Sequence, residues 1–295
     1  MRLVTYISGT EQVPGIQHGD FVHDLGATLA GSGVNPSPSC ESVRAFLETY
    51  GDRLPAVSQT LTAWLDQTSP APVGSVDELK LVAPVTDPAK VLCVGLNYSD
   101  HVGETGRQFP SHPDLFAKFA SSLIGPLEDI ACSDVSANLD FEGELAIVIG
   151  RHCRRVPENE ALDHVAGLTV LNDITARDLQ YRGTQWLAGK AVDSATPCGP
   201  ALVTLDEIGD PQSLDLTTRV NGTQMQGSNT KNMIFPIARI VSYISEFLAL
   251  SPGDVIATGT PEGIGAKRTP PVWLRPGDVV EVEIEKVGRL RNVVR

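Results

Sequence analysis

Residues 140–144 read Asp-Phe-Glu-Gly-Glu and run directly into an apolar stretch, Leu145–Ile149. Along a strand, side chains alternate, so Glu142 and Glu144 would share one side, about 6–7 Å apart. The apolar run reads as buried on both faces, which carries the two carboxylates inward. Like charges in that setting repel and lose solvation, so a cation must hold them or a proton must neutralise one. A hard divalent metal is the simplest such cation. The plain alternative is the solvated face of an edge strand.

Other groups could work beside this pair. In Val165–Gly189 an apolar strand ends at Asn172-Asp173, and the spacing predicts a helix over 174–187. Arg177 and Gln180 would share a helix face with Asp173. Asp173 is then either the helix N-cap or a further carboxylate for a metal. In Asn97–Glu104, NYSDHVGE, His101 and Glu104 are three apart. A carboxylate that orients and charges an imidazole suits general base catalysis on water, although a surface ion pair has the same spacing. The following segment, 103–113, is polar with Gly and Pro, and reads as a lid or a surface loop.

GDVIATGTPEGIG at 253–265 follows a strand but has neither phosphate-loop nor dinucleotide spacing. Amides around Gly259 and Thr260 could form a small anion nest, or simply a tight turn. Lys118 and Lys190 lie in apolar surroundings. Lysine usually snorkels to solvent, but beside acidic metal ligands either would be a charge partner or an acid. No nucleophile elbow or H-E-x-x-H motif is present, so a Ser or Cys nucleophile has no support.

The elements that must position these groups follow from pattern. Short strands are expected at 3–7 and 20–25, with helices at 41–50 and 57–67 and a start signal at Glu41 or Ser42. A Pro-rich linker, 69–74, then suggests a small N-terminal domain over 1–75 and a second domain over 76–295. Beyond it, β-branched runs recur at 91–96, 144–149, 168–172, 201–204, 217–220, 254–258 and 279–285, with helices at 174–187 and 236–249. Many strands without regular alternation of helices indicate a β-rich α+β fold rather than a doubly wound sheet.

The 295 residues are 41% apolar and carry a formal net charge of −13, with no basic stripe. That argues against nucleic acid or an anionic membrane as partner, and requires local cations to recruit any anionic substrate. The five cysteines are odd in number and widely spaced, which fits free thiols in a reducing, cytoplasmic setting. No signal pattern and no membrane-length apolar run is visible.

Taken together, NYxxHxxE, PxLFxKF, DFEGELAIVIG, NDITARDLQ…QW…GK…D…GP and GDVIATGTPEGIG resemble the fumarylacetoacetate hydrolase superfamily, in the right order from about residue 90 to the end. The resemblance implies a mixed β-roll of that type, binding Mg²⁺ or Mn²⁺ and usually homodimeric. It places metal ligands on Glu142, Glu144 and Asp173, a catalytic dyad on His101 and Glu104, and an active-site lysine on Lys190. Arg177, Gln180 and Thr260 fall where substrate oxygens or the network beside them are held. One departure is Ala191-Val192, where members commonly carry Ser/Thr and then an aromatic.

Those residues lead to an expected activity, hydrolytic C–C cleavage of a 2,4-dioxo acid (an acylpyruvate), a small anionic keto acid. Glu104 would orient His101 to activate water, and Lys190 with the metal would stabilise the pyruvate enolate. The alternative is decarboxylation or isomerisation/tautomerisation of a 2-oxo or 2-hydroxy-dienoic diacid at the same metal. A third reading is a non-catalytic metal-binding module.

Overall fold

The computed structural model describes residues 1–34, 40–105, 108–131 and 133–295, apart from the side chains of 102, 104 and 105. The fold is mixed α+β and strand-rich. Its main body is a 12-stranded sheet, whose central strands are 2–8, 196–204, 165–172, 143–149, 255–257 and 91–95, in that order. The 143–149 strand is antiparallel to both neighbours, with Gly143 opposite Asn172 and Ala146 opposite Ala257. A separate four-stranded sheet runs in the order 223–229, 215–220, 279–284, 288–293.

The apolar run in the central strand is explained by cover on both sides. Leu145, Ile147 and Ile149 pack with Leu216, Val282 and Leu290 of the four-stranded sheet and with Ile240 and Ile244 of the helix Ile237–Phe247. Ala146 and Val148 face the other way, onto Phe46, Leu47 and Leu61 of two N-terminal helices. Those helices are Val43–Tyr50, capped by the Ser42 hydroxyl accepting from the Ala45 N–H at 3.1 Å, and Leu54–Thr68. The first 75 residues therefore share a sheet and a core with the rest, joined through the pairing of strand 2–8 with 196–204.

Two local expectations change. The helix expected over 174–187 is two single turns, Arg177–Gln180 and Leu187–Lys190, preceded by a two-residue strand, Thr175–Ala176. Asp173 caps neither turn. Glu142 and Glu144 also do not sit on one continuous strand. Leu139–Asp140 pairs with Thr175–Ala176, the chain leaves the ladder at Phe141-Glu142, and the long strand starts at Gly143.

Cys40, Cys93, Cys153 and Cys198 are free thiols, and Cys132 lies outside the described residues. Among the described residues, no helix is long and apolar enough to cross a membrane.

Candidate active site

The break at Phe141-Glu142 sets up the site. Freed from the ladder, the Glu142 N–H donates to Asn172 Oδ1 at 3.1 Å, and its carbonyl accepts from the Asp173 N–H at 2.8 Å. Two acids from distant parts of the chain are thus fixed side by side. Between Glu142 and Glu144 only glycine fits, because a Cβ on Gly143 would collide with the Thr218 hydroxyl and lie 3.0 Å from Val282 Cγ1. The Gly143 backbone is held by Gln226 and Thr260. Its N–H donates to Gln226 Oε1 at 3.0 Å, and its carbonyl accepts from the Thr260 hydroxyl at 2.9 Å.

Glu142, Glu144 and Asp173 are 7%, 1% and 0% exposed. Each offers an oxygen, and these oxygens lie within 4.8 Å of one another. A solvated edge is therefore not what the pair forms. Cations interleave with the acids. Lys190 Nζ lies 2.8 Å from Glu142 Oε2 and 2.6 Å from Asp173 Oδ2, and Lys118 Nζ lies 2.6 Å from Asp173 Oδ1. Arg177 donates to Glu142 Oε1 at 2.6 Å, to Asp140 Oδ2 at 2.9 Å and to Gln180 Oε1 at 3.0 Å. The Gly259 N–H donates to Glu144 Oε2 at 2.7 Å, so the turn after strand 255–257 does supply an amide to an anion.

Among the described residues, four buried acids (Asp140, Glu142, Glu144, Asp173) face three buried bases (Lys118, Arg177, Lys190). The carboxyl groups divide accordingly. Burial alone would raise Glu142, but Lys190 and Arg177 overcome it and hold its carboxyl at about 2. Burial pushes Glu144 well above the usual carboxylate range, and the nearby Asp173 and Glu142 push it further. Burial would lower the Lys190 ammonium, but Asp173 and Glu142 keep it above its ordinary value. A divalent cation held by Glu142, Glu144 and Asp173 would offset the repulsion at Glu144. Three convergent oxygen donors without nitrogen or sulfur suit a hard ion.

His101 is buried on the helix Ser99–Thr105 and lines the same cleft as Glu142, Glu144, Lys190 and Thr260. Its backbone N–H donates to Asp100 Oδ1 at 2.8 Å. The other oxygen of Asp100 accepts from the Ser228 hydroxyl at 3.0 Å, which ties this helix to the 223–229 strand. The side chain of Glu104, and residues 106 and 107 of the expected lid, lie outside the described residues. Of the other expected site residues, Arg177 bonds Glu142, Gln180 accepts from Arg177, and the Thr260 hydroxyl donates to the Gly143 carbonyl and accepts from Gln226.

Several participants escaped the sequence reading. Asp140 anchors Arg177, and Gln226 braces Gly143. Phe116 and Trp186 form an edge-to-face pair at 5.5 Å on the cleft wall, with Lys190 Nζ 5.0 Å from the Phe116 ring centre. Asp140 had a signal, since it continues the every-second-residue row of Glu142 and Glu144, and Phe116 and Trp186 fall within the stretches PxLFxKF and QW, whereas nothing local pointed to Gln226. The departure at Ala191-Val192 proves to lie outside the cleft lining, with Val192 packed against the apolar cluster around Phe141 and Ile174.

Several known proteins are similar to this chain in sequence or in structure. The mitochondrial oxaloacetate tautomerase fahd2 of Xenopus laevis is 43% identical over 300 residues, covering 100% of this chain and 90% of its own length. A structure of a putative HpcE protein from Mycobacterium smegmatis superposes with a TM-score of 0.83 at 35% identity, covering 100% of this chain and 99% of that one. Maleylpyruvate hydrolase from Sphingobium sp. SYK-6, solved with manganese(II) and pyruvate, superposes with a TM-score of 0.77 at 29% identity, over 100% and 98%. Residues 90–295 match the family described as fumarylacetoacetate (FAA) hydrolase C-terminal, and with that match the chain belongs to the fumarylacetoacetate hydrolase family.

Proposed function

We propose that this protein is a divalent-metal-dependent enzyme (Mg²⁺ or Mn²⁺) that binds a 2-oxo acid and interconverts its keto and enol forms. The observation that carries this reading is the Lys190 ammonium, fixed between Glu142 and Asp173 at 2.8 and 2.6 Å on the wall of the cleft. A permanent positive charge there stabilises negative charge as it develops on the substrate's 2-oxo oxygen. Glu142, Glu144 and Asp173 would hold the metal, which when bound supplies Lewis-acid polarisation of that oxygen. His101, on the same lining, removes a proton from C3 of the keto form. The electron pair moves toward the 2-oxo oxygen, which takes a proton from solvent; the reverse steps return enol to keto. Phe116 and Trp186 limit the water reaching the reacting carbon. The tautomerase relative, aligned over the full chain, supports the assignment.

A second reading, hydrolytic C–C cleavage of a 2,4-dioxo acid, is favoured by the buried imidazole in a cleft of acids, where His101 paired with Glu104 could activate water. The maleylpyruvate hydrolase neighbour, solved with pyruvate, supports it. One experiment separates the two. Purified protein with Mg²⁺ is given oxaloacetate, with loss of enol absorbance recorded, and a panel of acylpyruvates, with pyruvate release recorded. Enol loss above the metal-only rate without pyruvate release supports the tautomerase. The converse supports the hydrolase, and silence in both rejects the catalytic reading.

A further inference from the structure

Lys118 is a buried cation that the proposed reaction leaves unused. It ends the strand Asp114–Lys118, opposite Val91 of the neighbouring strand, and its side chain is sealed from solvent. Unlike Lys190, it does not line the cleft. Its ammonium donates to Asp173 Oδ1 at 2.6 Å and to the Ile174 carbonyl at 3.4 Å. Stability alone is a poor reason for that placement, because packed apolar side chains often replace a buried ion pair without loss. A lysine usually reaches for water, whereas this one is committed to one oxygen of one acid.

The three clustered acids share a pattern. Each has one oxygen held by a donor other than Lys190: Glu142 Oε1 by Arg177, Glu144 Oε2 by the Gly259 N–H, and Asp173 Oδ1 by Lys118. Lys190 takes the second oxygen of Glu142 and of Asp173. Ca²⁺ gathers about six to eight oxygens, and a carboxylate commonly gives it two. Mg²⁺ takes about six at shorter range, in near-octahedral order, and keeps several waters. Acids that each turn one oxygen toward the protein suit the smaller ion. We infer that Lys118 is a positioning residue that limits Asp173 to one ligand oxygen, and so biases the site toward Mg²⁺-sized ions relative to Ca²⁺. Of the three donors it alone can be replaced without altering the cleft wall, since Arg177 lines that wall and Gly259 acts through its backbone. The inference rests on the reading of Glu142, Glu144 and Asp173 as metal ligands and adds what discriminates between ions.

The test titrates the full-length protein, without substrate, with Mg²⁺ and with Ca²⁺, and reads each affinity by calorimetry. Lys118→Met keeps the reach of the side chain and removes its donor. It should raise the Ca²⁺/Mg²⁺ affinity ratio by about 10-fold, as Asp173 becomes free to offer both oxygens to the larger ion. Loss of a buried positive charge by itself would strengthen binding of both ions together and leave the ratio where it was. Lys118→Gln, too short to reach Asp173, is the second variant should Lys118→Met fail to fold, and the same rise is expected. A ratio that stays at the wild-type value in the folded variant overturns the inference, whatever happens to the separate affinities. Wild-type protein that binds neither ion counts against the metal reading itself, and the inference falls with it. Ion binding with a fixed ratio sinks the role of Lys118 alone and leaves the metal reading standing.

Discussion

Asp140 accepts the Arg177 Nε–H at 2.9 Å, with both groups sealed from solvent. Neither oxygen of Asp140 is spare. Oδ1 also takes the Phe141 and Gly265 N–H groups, and Oδ2 the Ala266 N–H. In Asp140→Asn the amide nitrogen must face at least one of these donors, and the buried guanidinium loses one of its two counter-charges, keeping only Glu142. The variant should lose about 3–5 kcal/mol of stability, measured by urea unfolding of the metal-free protein. A loss under about 1 kcal/mol would mean the pair contributes little.

Glu144 should behave in the opposite way. Its carboxyl is buried beside two other acids, so Glu144→Gln removes a repulsion that the metal-free protein otherwise holds with a proton. The melting temperature of the metal-free variant should equal or exceed that of the wild type, while the rise caused by Mg²⁺ disappears. Thermal melts with and without the ion check both halves. A variant that still gains stability from Mg²⁺ excludes Glu144 as a ligand.

The same carboxyl makes metal affinity depend on pH. Glu144 titrates above its unfolded value, so in the metal-free protein it favours folding at low pH, and that contribution is lost as pH rises through the folded value. A metal needs the deprotonated form. Affinity should therefore rise with pH, and binding should release a proton, detected as a calorimetric heat that changes with the ionisation enthalpy of the buffer. Glu142, held at about 2 by Lys190 and Arg177 against the effect of burial, adds stability above its unfolded pKa that disappears as pH falls toward 2.

His101→Ala separates proton transfer from metal binding. Turnover of the active substrate should fall by about 10²–10⁴-fold, with the Mg²⁺-induced thermal shift unchanged. Near-normal turnover would rule out His101 as the proton carrier.

Gly143→Ala tests whether the spacing of the acids needs a residue without a side chain. The added methyl meets Thr218 and Val282 of the other sheet, so the variant should be destabilised by about 1–3 kcal/mol and lose Mg²⁺ response. The double variant with Thr218→Ala should recover part of both, measured in the same melts.

The legible parts of this molecule were those governed by near neighbours. The every-second-residue spacing of Glu142 and Glu144 picked out the right pair, although the break before Gly143 rather than strand alternation places Glu142, and a capping serine with an amphipathic stretch marked the 43–50 helix. The 174–187 segment misled because its residues suit a helix, yet Asp173 is drawn to Lys118 and Lys190 and the chain turns twice instead. Gln226 and the 265–267 turn were illegible for a different reason. They meet Gly143 and Asp140 across 83 and 125 residues of chain, and no local pattern encodes such a meeting.

The two-sided packing of strand 143–149 bears on how the chain finds its native pairing. A shift of a single position against the neighbouring strand would aim Glu144 between the two sheets, among Leu216, Val282 and Ile240. There it would be an acid stranded in hydrocarbon, beyond the Gly259 amide that now receives it. Misaligned forms of the sheet thus carry a penalty that the correct one escapes, and a group kept for chemistry also proofreads assembly.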